Sequence, residues 1–346
     1  MTQIDLQKIN SFKPLIGNHS FEKLELPSRM IWSNSSLKLF CKCKRKFFWK
    51  TIARLRPRKK ATALFVGGYW HKILEEWYKS KRSMKSVTEK MNDEILKEVE
   101  QLCDFYDQEE YDKLTSVLDT LSGMGIGYAE IYKSNRKKWV IDKDMVEVKF
   151  AIDLGKFDFI GKIDLIAKIK NKITVVEHKS ISHLRDSYLD RLPLDSQVRA
   201  YIYGGMYGIE GKPPVQVLYD VTKKCKLRRK MSEDLSEFAT RVADDYIGRP
   251  DFYFFQETLK FSKEDINAFE VWMFQLQREL EHLIEDANNP LDPREWPIND
   301  STCDEYFSTC PYLPLCISGL DKISSRLYEQ NDPKKDAEDW LNYEEE

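Results

Sequence analysis

The chain has 346 residues, of which 42% are hydrophobic and 12% aromatic, so it can bury a sizeable core and is not a disordered chain. Its 55 basic and 57 acidic residues give a net charge of −2, which excludes a uniformly basic or acidic protein. No run approaches the roughly 18 apolar residues of a spanning helix, and residues 1–10 lack a basic-then-apolar signal peptide. We therefore expect a cytoplasmic protein that does not act in the membrane.

The charged residues are unevenly distributed along the chain. Residues 42–60 contain ten Lys or Arg residues and no acid, whereas residues 329–346 contain eight acids and two lysines. Phe47, Phe48 and Trp49 interrupt the basic segment, a composition that suits a phosphate backbone with bases stacked nearby. A solvated helix flank with core aromatics is an equal alternative. The candidate nucleic-acid-binding residues are Lys44, Arg45, Lys46, Arg54, Arg56 and Arg58.

The first predicted elements of the chain are helices. Residues 1–30 show little periodicity and are predicted to be an extension. A helix is expected to begin near Ser33–Ser36, whose hydroxyls can cap it, and Gly67-Gly68 precede a second helical pattern at Tyr69–Trp77. An inserted helical lobe at about residues 84–137 follows, with a break near Gly123–Gly127.

The pattern then becomes β-rich. Residues 146–152, 157–169 and 173–178 predict three strands separated by turns. Residues 195–207 predict a helix and residues 214–219 a further strand, so the class is α/β: helix, three-strand meander, helix, strand. Residues 262–286 predict another helix, residues 290–316 a loop-like region, and residues 326–346 an acidic tail. The predicted organisation is one domain over residues 31–325.

The hairpin between the second and third strands carries two carboxylates. If Lys170-Asn171 form a two-residue loop, paired positions sum to 341, which places Asp164 opposite Glu177 with their Cβ atoms about 5 Å apart. Lys179 lies two residues beyond Glu177 and shares its face, while the side chain of His178 points away. Two close carboxylates favour a divalent cation between them, and hard oxygen ligands suit Mg²⁺ or Mn²⁺. An exposed hairpin with ordinary cross-strand charges is the alternative.

Seven cysteines are present, an odd number that disfavours a secreted disulfide framework, so clustered cysteines are expected to bind metal. Cys303, Cys310 and Cys316 lie in the irregular C-terminal region and need a fourth ligand from far away. Four thiolates suit a [4Fe–4S] cluster or Zn²⁺.

Four motifs together resemble the PD-(D/E)XK nuclease superfamily and, within it, the RecB-like and CRISPR-associated-type iron–sulfur exonucleases. They occur in the family's order: Gly67-Gly68-Tyr69-Trp70-His71, Gly161-Lys162-Ile163-Asp164, Glu177-His178-Lys179 and Gln197-Val198-Arg199-Ala200-Tyr201. The family's proline before the motif aspartate is Ile163 here. The resemblance implies a restriction-endonuclease-like core and a DNA exonuclease of recombination or repair.

The resemblance also implies roles for single residues. His71 would be a metal ligand beside Asp164, Glu177 and the backbone carbonyl of His178. Lys179, Gln197 and Tyr201 would complete the catalytic set, with Lys179 assisting the attacking water or stabilising developing charge. We assign no role to Glu147 on the preceding strand.

The family's N-terminal pattern selects Cys43 as the fourth cluster ligand, with Cys41 as the alternate. The resemblance favours [4Fe–4S] over Zn²⁺, although the family's commoner first spacing is C-x₂-C where this chain has six intervening residues. Such a cluster would join the N- and C-terminal segments as a structural staple. No phosphate-binding helicase motif is present, so unwinding would come from a helicase or recombination partner. A non-catalytic DNA-binding accessory subunit is the alternative function.

Overall fold

The computed structural model describes residues 24–58, 62–80, 82–101, 108–184, 186–305, 308–320 and 327–331. The chain divides into two compact units. The smaller unit consists of residues 1–58, 155–157 and 272–346, and the larger unit of residues 59–154 and 158–271. Most of the predicted N-terminal extension and acidic tail lies outside the described residues, as does Cys103.

The described residues form eleven helices and ten strands. The helices are α1 Asn34–Lys42, α2 Lys44–Phe47, α3 Thr62–Lys79, α4 Met84–Gln101, α5 Gln108–Lys138, α6 Asp186–Asp190, α7 Ser196–Tyr207, α8 Leu235–Gly248, α9 Pro250–Tyr253, α10 Lys263–Asp286 and α11 Leu313–Ser318. The strands are β1 Met30–Trp32, β2 Leu55–Pro57, β3 Val140–Asp153, β4 Phe157–Ile169, β5 Lys172–Ile181, β6 Gln216–Lys223, β7 Phe254–Leu259, β8 Asp304–Glu305, β9 Ser308–Thr309 and β10 Tyr328–Gln330.

A central sheet organises the larger unit. Strands β3, β4 and β5 form the predicted antiparallel meander, and α7 then leads to β6, which pairs with β5 in parallel. Strand β7, which the sequence patterns did not predict, adds to β6 in antiparallel orientation. The predicted order of helix, meander, helix and strand is confirmed as a mixed α/β fold. The sheet brings the middle of β4 beside the middle of β5, where the candidate carboxylates lie.

The predicted register of the β4–β5 hairpin is confirmed. Ile169 pairs with Lys172 and Leu165 with Val176, so each pair sums to 341. Lys170 and Asn171 both have positive φ, 47° and 64°, as a two-residue type I′ turn requires.

Helices α3, α4 and α5 form the helical lobe of the larger unit. The predicted break near Gly123–Gly127 is wrong, because α5 runs unbroken through these glycines. A Cβ on Gly123 would lie 2.5 Å from the Cβ of Val242, and one on Gly127 would lie 2.5 Å from that of Tyr246. The glycines therefore allow α5 and α8 to pack closely rather than ending the helix.

The smaller unit has an aromatic core. The predicted cap is confirmed: Ser33 and Ser36 form a reciprocal capping box at the start of α1. Phe47, Phe48 and Trp49 are all essentially fully buried. The idea that these rings offer surfaces for stacked bases is therefore wrong, and the core alternative is right.

In the remainder of this unit, the predicted loop at residues 290–316 contains two 3₁₀ turns, β8, β9 and the start of α11. None of the helices within the described ranges is both long and apolar enough to cross a membrane.

Candidate active site

Three side chains from three elements of the larger unit converge on one point. His71 lies in α3, Glu147 in β3 and Asp164 in β4, and one ligand atom from each lies within 4.8 Å of the other two. The His71 Nδ1 is 3.4 Å from the Asp164 Oδ2. His71 keeps about 29% of its side chain exposed, whereas Asp164 is buried. One imidazole nitrogen and two carboxylates at this spacing form a suitable ligand set for a divalent cation.

Glu147 owes its place to an irregularity in β3. The β3–β4 register shifts between Ile141 and Val146, and Glu147 has a positive φ of 54°. Its carboxylate is largely buried and forms an ion pair with Lys162. Burial, together with the charge of Asp164, raises the pKa of Glu147. The left-handed backbone at a non-glycine residue costs about 1 kcal/mol or more, which the surrounding fold must offset.

The sequence contains a signal for Glu147 that the four motifs do not include. In the β3–β4 hairpin, Asp153 pairs with Asp158 and Val148 with Ile163, so the residue numbers of each pair sum to 311. The same arithmetic places Glu147 opposite Asp164, on the face that carries the Asp164 carboxylate.

Glu177 is fully buried; its Oε1 is in contact with the Lys179 ammonium, whereas its Oε2 has no hydrogen-bond partner among the described residues. Burial and the charge of Asp164 raise the pKa of Glu177. Its ion-pair partner Lys179 opposes this rise but does not cancel it. Burial would also raise the pKa of Asp164, but the neighbouring His71, His178 and Lys179 outweigh that effect and lower it. A buried carboxylate without hydrogen-bond donors is costly unless a cation compensates it.

His178 lies between Glu177 and Lys179 in β5. Its backbone N–H donates to the Asp164 Oδ2 at 2.9 Å, which ties the two strands together just beyond the last ladder pair. Its ring turns away, as alternation predicts, and its Nδ1 lies 2.8 Å from the Asp220 Oδ2. Tyr128 donates to the same Asp220 oxygen at 2.6 Å. This buried network holds the strand on which Glu177 and Lys179 lie.

Lys179 is connected to both predicted residues of α7. Its Nζ donates to the Gln197 Oε1 at 2.9 Å, and the Gln197 Nε2 donates to the Tyr201 hydroxyl at 2.8 Å. Gln197 and Tyr201 are four residues apart and so share one helix face. Asp195 caps α7 by accepting from the Gln197 N–H, which positions the start of that face. The structure thus brings all the predicted motif side chains of the larger unit into one neighbourhood.

A second group of candidate ligands lies in the smaller unit. Burial raises the pKa of Cys303, and the nearby thiols of Cys310 and Cys43 raise it further. Burial likewise raises the pKa of Cys316 to about 11, with smaller contributions from Cys310 and Cys43. The Cys310 N–H donates to the Cys303 carbonyl at 2.7 Å. The four predicted cluster cysteines are therefore near neighbours, whereas the alternate, Cys41, is exposed.

The predicted nucleic-acid-binding residues have mixed surroundings. The Lys44 Nζ lies 2.8 Å from Glu279, and Arg45 donates to the carbonyls of Trp296 and Arg294 at 3.0 and 3.2 Å. Arg58 lies 3.6 Å from Glu329. Of the other three, Arg56 is exposed, and Lys46 and Arg54 are partly exposed. Several of these cations therefore stabilise the smaller unit.

Comparisons with known proteins identify the family of this chain. The family model of the PD-(D/E)XK nuclease superfamily matches residues 31–317. A search of curated proteins found no match. A solved structure from Eubacterium rectale, provisionally described as an exonuclease, is 13% identical, with a TM-score of 0.43 over 82% of this chain and 92% of that chain. The family match covers most of the chain, including every motif at the site. The chain belongs to the PD-(D/E)XK nuclease superfamily.

Proposed function

We propose that this protein is a Mg²⁺- or Mn²⁺-dependent deoxyribonuclease that acts as an exonuclease on DNA in repair or recombination. The observation that carries the proposal is the cluster of His71, Glu147 and the buried Asp164 beside Glu177 and Lys179. A site that served only to bind DNA would gain nothing from burying these carboxylates, which repel phosphate.

The residues present suit a divalent cation. His71, Glu147 and Asp164 would hold it, with Glu177 and the carbonyl of His178 as further ligands. The fit rests on the Glu177 Oε2, which is buried without a hydrogen-bond donor among the described residues, while Oε1 contacts Lys179. When bound, such an ion polarises the phosphoryl oxygen and lowers the pKa of a bound water.

The remaining residues would orient the reaction. Gln197 accepts from Lys179 and donates to Tyr201, so the ammonium is held in one place beside Glu177. From there Lys179 would orient the attacking water or stabilise negative charge on the phosphate oxygens. Burial of Glu177 and Asp164 would keep bulk water from screening these charges.

The cysteine group supports a [4Fe–4S] cluster held by Cys43, Cys303, Cys310 and Cys316. When bound, it would supply a covalent link across about 260 residues of chain, and such closure restricts the unfolded state more than a short loop does. The family resemblance favours this cluster over zinc. Any unwinding of duplex DNA would come from a helicase or recombination partner.

The test is digestion of end-labelled linear and circular single-stranded DNA with Mg²⁺, Mn²⁺ or EDTA. We expect metal-dependent loss of the linear substrate, protection of the circle, and loss of activity in Lys179→Ala. Digestion of the circle would show an endonuclease. A wild-type protein that binds DNA but cleaves neither substrate with either metal would instead establish the accessory-subunit function.

A further inference from the structure

The segment between β5 and α7 lies against the sheet face that carries Glu177. It consists of α6 and a 3₁₀ turn at Leu192–Leu194, all within the larger unit. The Tyr188 hydroxyl of α6 is 2.7 Å from the Tyr219 hydroxyl of β6. Because Tyr219 pairs with Glu177 in the parallel β5–β6 ladder, both side chains lie on one face of the sheet. Tyr188 therefore reaches the face that holds the candidate active site.

Tyr188 also lies within electrostatic range of Lys179. Burial would lower the pKa of Lys179, but the two neighbouring carboxylates raise it, and the Tyr188 hydroxyl adds to this rise. Burial and the hydrogen bond to Tyr188 raise the pKa of Tyr219, with a smaller contribution from the charge of Glu177. The pair of tyrosines thus flanks the β5 residues that would act on the phosphate.

Arg191 is held against the ring of Tyr188. Its guanidinium carbon lies 5.1 Å from the centre of that ring, within the range of a cation–π contact. The backbone of Arg191 is helical, with φ −88° and ψ −6°, so it continues the turn that carries Tyr188 three residues earlier. The hydroxyl contact with Tyr219 fixes the far end of the ring. The ring therefore limits the orientation of an otherwise flexible side chain.

Arg191 can bind an external anion. Its side chain is exposed, and within the described ranges no carboxylate forms an ion pair with it. By contrast, Lys162 and Lys179 are already paired with glutamates of the site. A DNA strand that enters an acidic site needs a cation to offset the repulsion between its phosphates and the carboxylates. The planar donors of a guanidinium suit a phosphate group.

We propose that Arg191, positioned by Tyr188, binds a DNA phosphate that flanks the scissile bond. The proposal rests on the proposed nuclease function, since it adds a contact to the same substrate. The flanking phosphate does not react, so Arg191 contributes to binding of the strand and not to the chemical step.

The binding test uses a fluorescein-labelled 12-nucleotide oligodeoxythymidylate with Mn²⁺, in a Lys179→Ala background that prevents cleavage. Anisotropy measures the affinity over a range of salt concentrations. We expect Arg191→Ala to lower the salt slope by about 0.7, the value for one phosphate contact with a single strand. Because that contribution vanishes towards 1 M salt, the loss of affinity at 0.1 M salt should be about fivefold.

The matched control is Arg228→Ala, which removes an exposed arginine from the segment before α8. Helix α8 packs against α5, whose Tyr128 contacts Asp220 on the face of the sheet opposite to Glu177. This variant should therefore keep the slope and the affinity of the parent protein.

Variants of Tyr188 test its positioning role. Tyr188→Leu removes the ring and should weaken binding nearly as much as Arg191→Ala. The double variant should then bind no more weakly than Arg191→Ala alone, because the two residues act as one unit. Tyr188→Phe keeps the ring and should retain most of the affinity.

Equal salt slopes for Arg191→Ala and Arg228→Ala, with both proteins folded by circular dichroism, would overturn the proposal. Additive losses for Tyr188→Leu and Arg191→Ala would also overturn it, because the ring would then not position the guanidinium.

Steady-state cleavage of linear DNA adds a second readout. Arg191→Ala in the otherwise wild-type protein should raise KM about fivefold and leave kcat unchanged, as loss of uniform binding predicts. A fall in kcat alone would place Arg191 at the reacting phosphate and contradict the proposal. Absence of wild-type cleavage would refute the nuclease function, whereas the binding assay does not depend on cleavage, so the two failures are distinguishable.

Discussion

Replacing Glu147 with Gln tests whether this residue is a metal ligand. The change keeps the shape of the side chain and removes one carboxylate from the cluster that includes His71 and Asp164. Even partners that only orient metal ligands contribute 10- to 100-fold to metal affinity. We therefore expect Mn²⁺ to bind Glu147→Gln at least about 10- to 100-fold more weakly, a loss of about 1.4 to 2.7 kcal/mol.

The same loss should appear in protein stability. At a free Mn²⁺ concentration about 100 times the wild-type Kd, binding to the native state raises the free energy of unfolding by about 2.7 kcal/mol. A site weakened 10- to 100-fold would retain about 1.4 to 0.4 kcal/mol of that stabilisation. Calorimetric titration measures the affinity, and denaturant unfolding with and without Mn²⁺ measures the stabilisation.

The control for this variant is Glu94→Gln, which changes an exposed glutamate of α4. It should leave both quantities unchanged. Raising the Mn²⁺ concentration should restore activity to Glu147→Gln, because a weakened site can still be filled. A variant with the wild-type Mn²⁺ affinity would refute the reasoning and reduce Glu147 to the ion-pair partner of Lys162.

Three further predictions concern other parts of the molecule. Gly123→Ala should lower the free energy of unfolding by about 1–3 kcal/mol despite the better helix propensity of Ala, since its Cβ would lie 2.5 Å from Val242; Gly248→Ala, which has open space, is the control, and equal effects would contradict the packing argument. Cys310→Ser should lose iron and the visible absorbance of the anaerobically purified protein, whereas Cys41→Ser should keep both; the reverse pattern would show that the ligand assignment is wrong. Burial raises the pKa of Asp119 to about 6 in the folded protein, so stability should fall as pH rises from about 4 through 6. Asp119→Asn should therefore be more stable than the wild type at pH 7.5, by up to about 3 kcal/mol, and lose that advantage below pH 4; urea titrations showing the same difference at both pH values would contradict it.

The sequence by itself determined the elements whose contacts are local. The Lys170-Asn171 turn sets the register of β4 against β5, and the two-residue period of a strand then places Asp164 and Glu177 on one face. The Ser33 capping box and the limits of α7 also follow from nearby residues. Each of these depends on residues a few positions apart, whose geometry the backbone itself constrains.

Only the tertiary structure decided the features that depend on distant neighbours. Gly123 continues a helix instead of ending it because α8 packs against it, and Phe47 is core because other aromatic side chains surround it. Glu147 lies near His71 because α3, about 75 residues earlier in the chain, packs against β3. In each case the environment of the residue depends on which distant part of the chain packs against it. Local propensity does not encode that packing partner.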